Sequence, residues 1–374
     1  MKKIKVLAVF GTRPEAIKMA PLVCELYRRE KFETVVCVTA QHRSMLDQVL
    51  DVFKIKPDYD LDIMRHDQTL EDISYAVLSG VGDVIGSVNP DIVLVHGDTT
   101  TAFASALAAF YCKTLIGHVE AGLRSYNKYS PFPEEMNRVL ISSLADFHFA
   151  PTVANMENLL KENVCADNIF VTGNTVVDAL GFTVKDDYLF CDEKLRQVDF
   201  SRRVILLTAH RRENFGQHME NICRAVLHIT EQFPDVTVVC PVHLNPNVKD
   251  VVTRILGGND KIILTEPLAP LELHNLMARC FMVLTDSGGL QEEAPSLNKP
   301  VVVLRRETER AEALEAGCVV LAGTSFDKIV ETAEKFLTDK QFYDKVSAAE
   351  NPYGSGRASS AIADVLQKKL PANF

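Results

Sequence analysis

The chain has 374 residues, 47% of them hydrophobic and 24% charged, enough apolar material for two or three domain cores and too much for wholesale disorder. Fifty acidic against forty basic side chains give a net charge of −10, and no Lys/Arg-rich run interrupts that balance, which argues against a nucleic-acid or anionic-membrane partner. The nine cysteines are odd in number and scattered, without a C-x-x-C pair, and several sit in apolar runs such as Val35-Val36-Cys37-Val38, the usage of a reduced cytoplasmic protein.

In chain order, a β-branched run at Ile4–Phe10 stops at Gly11-Thr12-Arg13-Pro14-Glu15, which breaks the apolar stretch that a secretory leader would need. Helical periodicity follows over 16–29, with Pro14 suited to a first helical position. Further strand-like runs come at 34–39, Ile92–His96, 114–119 and Phe147–Ala150, with a second helical stretch at 102–111. The same texture restarts after residue 200, at 204–208, 236–240, 262–264, 281–285, 301–304 and Val319–Leu321. The charged segment 186–203 between the two series carries no clear strand.

Alternation of strand and helix predicts an α/β protein of two Rossmann-like, doubly wound domains. They are expected over 1–172 and 173–354, with a hinge near 172–200 and the active site in the inter-domain cleft. No apolar run approaches the roughly 20 residues that cross a bilayer.

Ligands of such sheets meet the carboxyl ends of the strands, and that is where the polar clusters fall. Asp286-Ser287-Gly288-Gly289 turns a strand into a helix, which suits a diphosphate but also fits an ordinary Ser/Gly helix start. Glu293, about a turn further on, has the reach for ribose hydroxyls or is simply solvated. Arg13, Lys18, His210 and Arg310 together would make a cationic lining. Three carboxylates suit general acid and base work: Asp98, Glu120 and Glu134. Asp98 has an alternative as a helix cap, and Glu134 as an ion pair with Arg138 four residues on. No P-loop, G-x-G-x-x-G or H-E-x-x-H pattern is present, no metal is expected, and His66, His218 and His228 read as surface residues.

Seven segments in order then carry a resemblance: 11–22 (GTRPEAIKMAPL), 94–110, 117–125 (GHVEAGLRS), 129–138 (YSPFPEEMNR), 208–216 (TAHRRENFG), 241–248 and 285–305 (TDSGGLQEEAPSLNKPVVVLR). They are similar to the non-hydrolysing UDP-N-acetylglucosamine 2-epimerases of bacterial type. The resemblance implies a GT-B architecture, a final helix at about 355–374 that packs back on the first domain, and a homodimer. It implies reversible epimerisation of UDP-GlcNAc and UDP-ManNAc at C2 for polysaccharide biosynthesis, without metal, nicotinamide or other cofactor. UDP is eliminated to leave 2-acetamidoglucal and then re-added.

Carried over residue by residue, Arg13, Lys18, His210, Ser287, Gly288, Gly289 and Arg310 resemble nucleotide and phosphate ligands. Glu293 matches the ribose carboxylate, and Leu268 and Leu273 the uracil positions. Asp98, Glu120 and Glu134 match the acid/base carboxylates, with His210 counted in the catalytic set and Arg138 among the substrate-binding residues. Gln41, His42 and His243 match an activator site for a second UDP-GlcNAc. Asp67 replaces the usual Arg there, so weakened activation is expected, and Arg306, Glu307 and Ala311 depart from the usual R-D-T-T-E-R-P-E loop, which keeps Arg310. A hydrolysing epimerase, a GT-B glycosyltransferase and a nucleotide-sugar sensor are the competing readings.

Overall fold

The computed structural model describes residues 2–40, 43–65 and 67–370, so Gln41, His42 and His66 lie outside the described residues. The chain divides into two compact units, Met1–Phe182 with Tyr353–Phe374 and Thr183–Pro352.

The first unit holds strands β1 (Ile4–Phe10), β2 (Phe32–Val38), β3 (Tyr59–Asp60), β4 (Ile92–His96), β5 (Leu115–Val119), β6 (Phe147–Ala150) and β7 (Ile169–Val171). Their order is β3-β2-β1-β4-β5-β6-β7 and every pairing is parallel. Both faces are covered, which is why the strand sequences are apolar throughout instead of alternating. Successive β1 residues enter different cores. Val6, Ala8 and Phe10 pack in the one that also holds Met19 and Leu22 of the helix Arg13–Arg28. Leu7 and Val9 join Val77 and Val81 of the helix Leu70–Val88. The last helix, Ala358–Lys369, returns to the first of these cores with Ile362, Ala363 and Leu366.

The second unit repeats the winding with β8 (Arg203–Thr208), β9 (Val236–Pro241), β10 (Ile262–Thr265), β11 (Met282–Thr285), β12 (Val301–Val303) and β13 (Val319–Leu321). The order is β10-β9-β8-β11-β12-β13, again parallel, around a core of its own. In each sheet the winding reverses beside the first strand, between β1 and β4 and between β8 and β11.

Two edge strands escaped the sequence reading. β3 has two residues and β7 three, too few for any periodicity to register. The segment 186–203 carries a short helix, Glu193–Arg196, capped by Asp192. Among the described residues no helix is long and apolar enough to cross a membrane.

Candidate active site

In the first unit the loops after β1 and β4 are tied together before any ligand is considered. Thr12 caps the helix Arg13–Arg28 in a capping box with Glu15. The buried Glu15 carboxylate accepts from the amides of Gly11 and Thr12 at 3.1 and 2.8 Å and from Thr99 Oγ1 at 2.7 Å. That clamp fixes the helix start from which Arg13 and Lys18 project. Beyond β4, Gly97 turns the chain with φ of 66°, and the helix Thr100–Tyr111 begins. Thr99 caps it, its side chain accepting from the Ala102 amide at 3.0 Å, so Asp98 is not spent as the cap that its position allowed.

Asp98 is instead gripped by Arg138, which reaches across from the helix Glu134–Leu144. The same guanidinium donates to the Glu120 carbonyl at 2.7 Å and lies 3.5 Å from Glu120 Oε1. Glu120 follows β5 with φ of 62°, a left-handed conformation that a non-glycine residue adopts only when its surroundings impose it. Its Oε2 accepts from Lys18 Nζ and, at 3.0 Å, from Asn174 Nδ2, and His96 Nε2 stands 3.6 Å away. Asn174 is held in turn by the carbonyl of Tyr353, where the chain re-enters the unit.

Burial alone would raise the Glu120 carboxyl, but Lys18, His96 and Arg138 together hold it well below the usual carboxylate range. Burial pushes His96 down to about 4, so beside this carboxylate the imidazole is neutral at pH 7. Glu134 is half-buried at the first turn of its helix and has no hydrogen bond or ion pair among the described residues. Its neighbour Glu135 is the structural one, accepting from the amides of Ser125 and Tyr126 at 2.9 Å each. Arg13 is partly buried, which lowers its pKa, although the guanidinium stays charged.

In the second unit the ends of β8 and β11 are pinned by one carboxylate. Asp286 is fully buried, and its Oδ2 accepts from the amides of His210 and Arg211 at 2.8 Å and from Asn214 Nδ2 at 2.9 Å. Oδ1 lies 3.4 Å from His210 Nδ1 and has no other partner among the described residues. His210 therefore presents Nε2 outward, with its ring stacked on His243 at 5.5 Å and 12°.

One residue on, the helix Gly288–Ser296 starts at Ser287 without a side-chain cap, so among the described residues no capping side chain takes its first-turn amides. Arg310 leans over that turn, because its Nε donates to the buried Glu292 at 2.5 Å. A Cβ on Gly288 would stand 3.5 Å from Arg310 Nη2. First-turn amides, a helix dipole and a guanidinium converge there on the space an anion would fill. Glu293 lies further along the helix, 3.4 Å from the buried His274, which contacts Thr183 Oγ1 at 2.8 Å. Leu268 and Leu273 flank the start of the helix Pro270–Arg279, both partly buried.

The first unit thus brings together Lys18, Asp98, Glu120 and Arg138, and the second His210 with His243, and Ser287, Gly288 and Gly289 with Arg310. Arg13 and Glu134 belong to the same unit as the carboxylates without a recorded bond to them. Sequence reasoning missed His96, Asn174, Asp286, Glu292 and His274, which act on the named residues. Asp286 and Glu292 stand in the Gly-rich segment already singled out, whereas Asn174 follows the edge strand β7 that had gone unseen. His218, expected at the surface, is half-buried against Arg306 and Thr324, while His228 is exposed.

The family model described as UDP-N-acetylglucosamine 2-epimerase matches residues 24–367. The chain is 56% identical over 380 residues to the UDP-N-acetylglucosamine 2-epimerase of Bacillus subtilis (strain 168), covering 100% of this chain and 99% of that relative. To the enzyme of the same name from Escherichia coli (strain K12) it is 52% identical over 372 residues, covering 97% and 98%. The solved structure of the UDP-GlcNAc 2-epimerase from Neisseria meningitidis bound to UDP-GlcNAc is similar, with a TM-score of 0.89 and 48% identity over 98% of this chain and 100% of that one.

Proposed function

Because this chain belongs to the UDP-N-acetylglucosamine 2-epimerase family, we propose that it interconverts UDP-GlcNAc and UDP-ManNAc without hydrolysing them. The observation that carries this is the presence, in one chain, of an anion cradle at Ser287–Gly289 and Arg310 and of a cluster in which Arg138 holds the carboxylates of Asp98 and Glu120.

The C2–H of the sugar lies beside no carbonyl, so its simple removal and return would be slow. If the C1–O bond to UDP breaks as the proton leaves, positive charge growing at C1 acidifies C2–H. The bond pair goes to the β-phosphate oxygen, the proton goes to a carboxylate, and C1=C2 forms to give 2-acetamidoglucal. Proton delivery to the opposite face of C2 and attack of the same phosphate oxygen on C1 close the cycle.

The cradle amides, Arg310 and His210 would stabilise the departing diphosphate, with Ser287 beside them. Glu293 would take the ribose hydroxyls, Leu268 and Leu273 would line uracil, and Arg13 would meet the nucleotide's phosphates. Glu120, fixed as an anion between Lys18 and Arg138, suits stabilisation of positive charge at the ring. Asp98, 27% exposed, and Glu134, whose side chain has no bond among the described residues, suit proton transfer.

We place the enzyme in the cytoplasm, a reading its free cysteines support, and read it as a homodimer serving glycan synthesis. The pivotal test is UDP-GlcNAc in D₂O followed by NMR: UDP-ManNAc with deuterium at C2 is expected. Free ManNAc with UDP would instead reveal a hydrolysing enzyme, and unlabelled, unchanged UDP-GlcNAc would sink the reading. With Asp67 where a cation would favour a second diphosphate, UDP-ManNAc alone should turn over from the first minutes. A strict requirement for added UDP-GlcNAc would contradict that.

A further inference from the structure

Away from the cradle, the second unit has a cleft of about 450 Å³ whose lining includes His218, Asn221, Arg306, Thr324, Ser325 and Lys328 and no carboxylate. In a chain of net charge −10 this is an unusual surface. Three observations about it converge. Arg306 and Lys328 are both exposed, and among the described residues neither is within ion-pair distance of an acid. Arg306 is nevertheless held in place, since a guanidinium can only donate: its Nη2 gives a hydrogen bond to His218 Nε2 at 2.9 Å. His218 Nδ1 must then carry the proton and donate to Thr324 Oγ1 at 3.1 Å.

The chain leaving β13 passes through Gly323, with φ of 73°, to Ser325, which caps the helix Phe326–Thr338. Ser325 Oγ already accepts from the Lys328 amide at 3.4 Å, so the helix start adds its dipole and its remaining first-turn amides beside these lining residues. A smaller recess shares His218, Arg306 and Thr324 with the cleft and has one acid, Glu213. Glu213 is already paired with Arg305 at 2.6 Å.

We propose that this cleft is a second anion site, separate from the substrate's diphosphate cradle, which binds a phosphoryl group between Arg306, Lys328 and the start of the helix Phe326–Thr338. The shared chemistry is a phosphate bearing two negative charges, either free as inorganic phosphate or pyrophosphate or carried by a nucleotide. The volume accommodates either, and two cations with a helix start match such a dianion.

Calorimetric titration of the intact protein tests this, with one equivalent of UDP added first, enough to fill the substrate cradle and leave the second site open. UDP is also titrated by itself, so that failure of the epimerase reading shows separately as absent UDP binding. Pyrophosphate should then bind saturably, and Arg306→Glu with Lys328→Glu should weaken it at least tenfold while UDP affinity and epimerase rate stay unchanged. Arg306→Lys, which keeps the charge, should retain most of the affinity and guards against a folding artefact. AMP in parallel tells a nucleotide from free phosphate, and whichever binds more tightly names the source. Absence of saturable binding by either probe, or equal affinity in the charge-reversed protein, would overturn the proposal.

Discussion

Burial pulls His210 below its ordinary pKa, and the Asp286 carboxylate 3.4 Å from Nδ1 opposes that pull, while Arg211 and His243 add to it. If His210 acts as the imidazolium, kcat/KM declines on the alkaline side as that proton is lost. Asp286→Asn removes a nearby charge that favours the protonated form, so the alkaline limb should move to lower pH. At pH 8 the loss should be about tenfold per unit of displacement. A pH–rate profile checks this, and an unmoved limb would remove His210 from the titrating set.

The carboxylates of the first unit should separate by their partners. Glu120→Gln leaves Lys18 and Arg138 facing a neutral amide. It should therefore cost both activity, by at least about a hundredfold, and roughly 3–5 kcal/mol of stability in urea unfolding. Glu134→Gln should lose activity with the urea midpoint little changed, because among the described residues the Glu134 side chain has no hydrogen bond or ion pair to lose. Equal destabilisation by both would mean that the network around Glu120 is weaker than its geometry implies.

Whole strands carry a second pH signature. β4, β5 and β6 each contribute a buried imidazole, His96, His118 and His148, the last two directly opposite each other in the sheet. His118 Nε2 is 2.8 Å from the Gly97 carbonyl, while its Nδ1 has no partner among the described residues. Burial lowers all three, His96 and His148 to about 4. For His96 and His148 the unfolded chain takes up the proton near pH 6.5 and the folded one near 4. Stability is thus complete above 6.5 and drains as pH falls through that window, by up to about 3 kcal/mol for each of His96 and His148. Urea midpoints at pH 7 and pH 5 measure it, and His148→Gln should flatten the difference.

The helix start at Gly288 gives a contrasting element-scale effect. A Cβ there would meet Glu309 Oε1 at 3.1 Å and crowd Arg310, so Gly288→Ala should weaken UDP binding by tenfold or more with little change in Tm. Equilibrium titration with UDP reads it directly.

At the scale of the molecule, the chain leaves its first unit at Phe182 and returns at Tyr353. The returning helix buries Ile362, Leu366 and, at its end, Leu370 in the first unit's core, at about 2 kcal/mol for each large apolar side chain. Removal of residues 353–374 should therefore cost that unit roughly 6 kcal/mol. The second unit, which has a separate core, should keep its own transition. Scanning calorimetry distinguishes this from a uniform drop, which would mean that the units melt as one.

The sequence by itself determined the strand-and-helix alternation, the parallel sheets and the clustering of chemistry at strand ends. Those depend on local apolar runs and on the glycines and caps that stop them, which are properties of neighbouring residues. β4, β6 and β13 were legible to the residue because each is a β-branched or aromatic run bounded by polar or small groups. The short edges β3 and β7 were not, since their pairing comes from the adjacent strand. Only the tertiary structure decided which charges meet. Glu120 lies 102 residues from Lys18 and 54 from Asn174, and Asp286 lies 76 from His210. No local pattern encodes those distances. Whether a carboxylate is a cap, an ion pair or a fixed anion depends on how burial and its neighbours' charges add, and those neighbours are assembled only by the winding of the sheets.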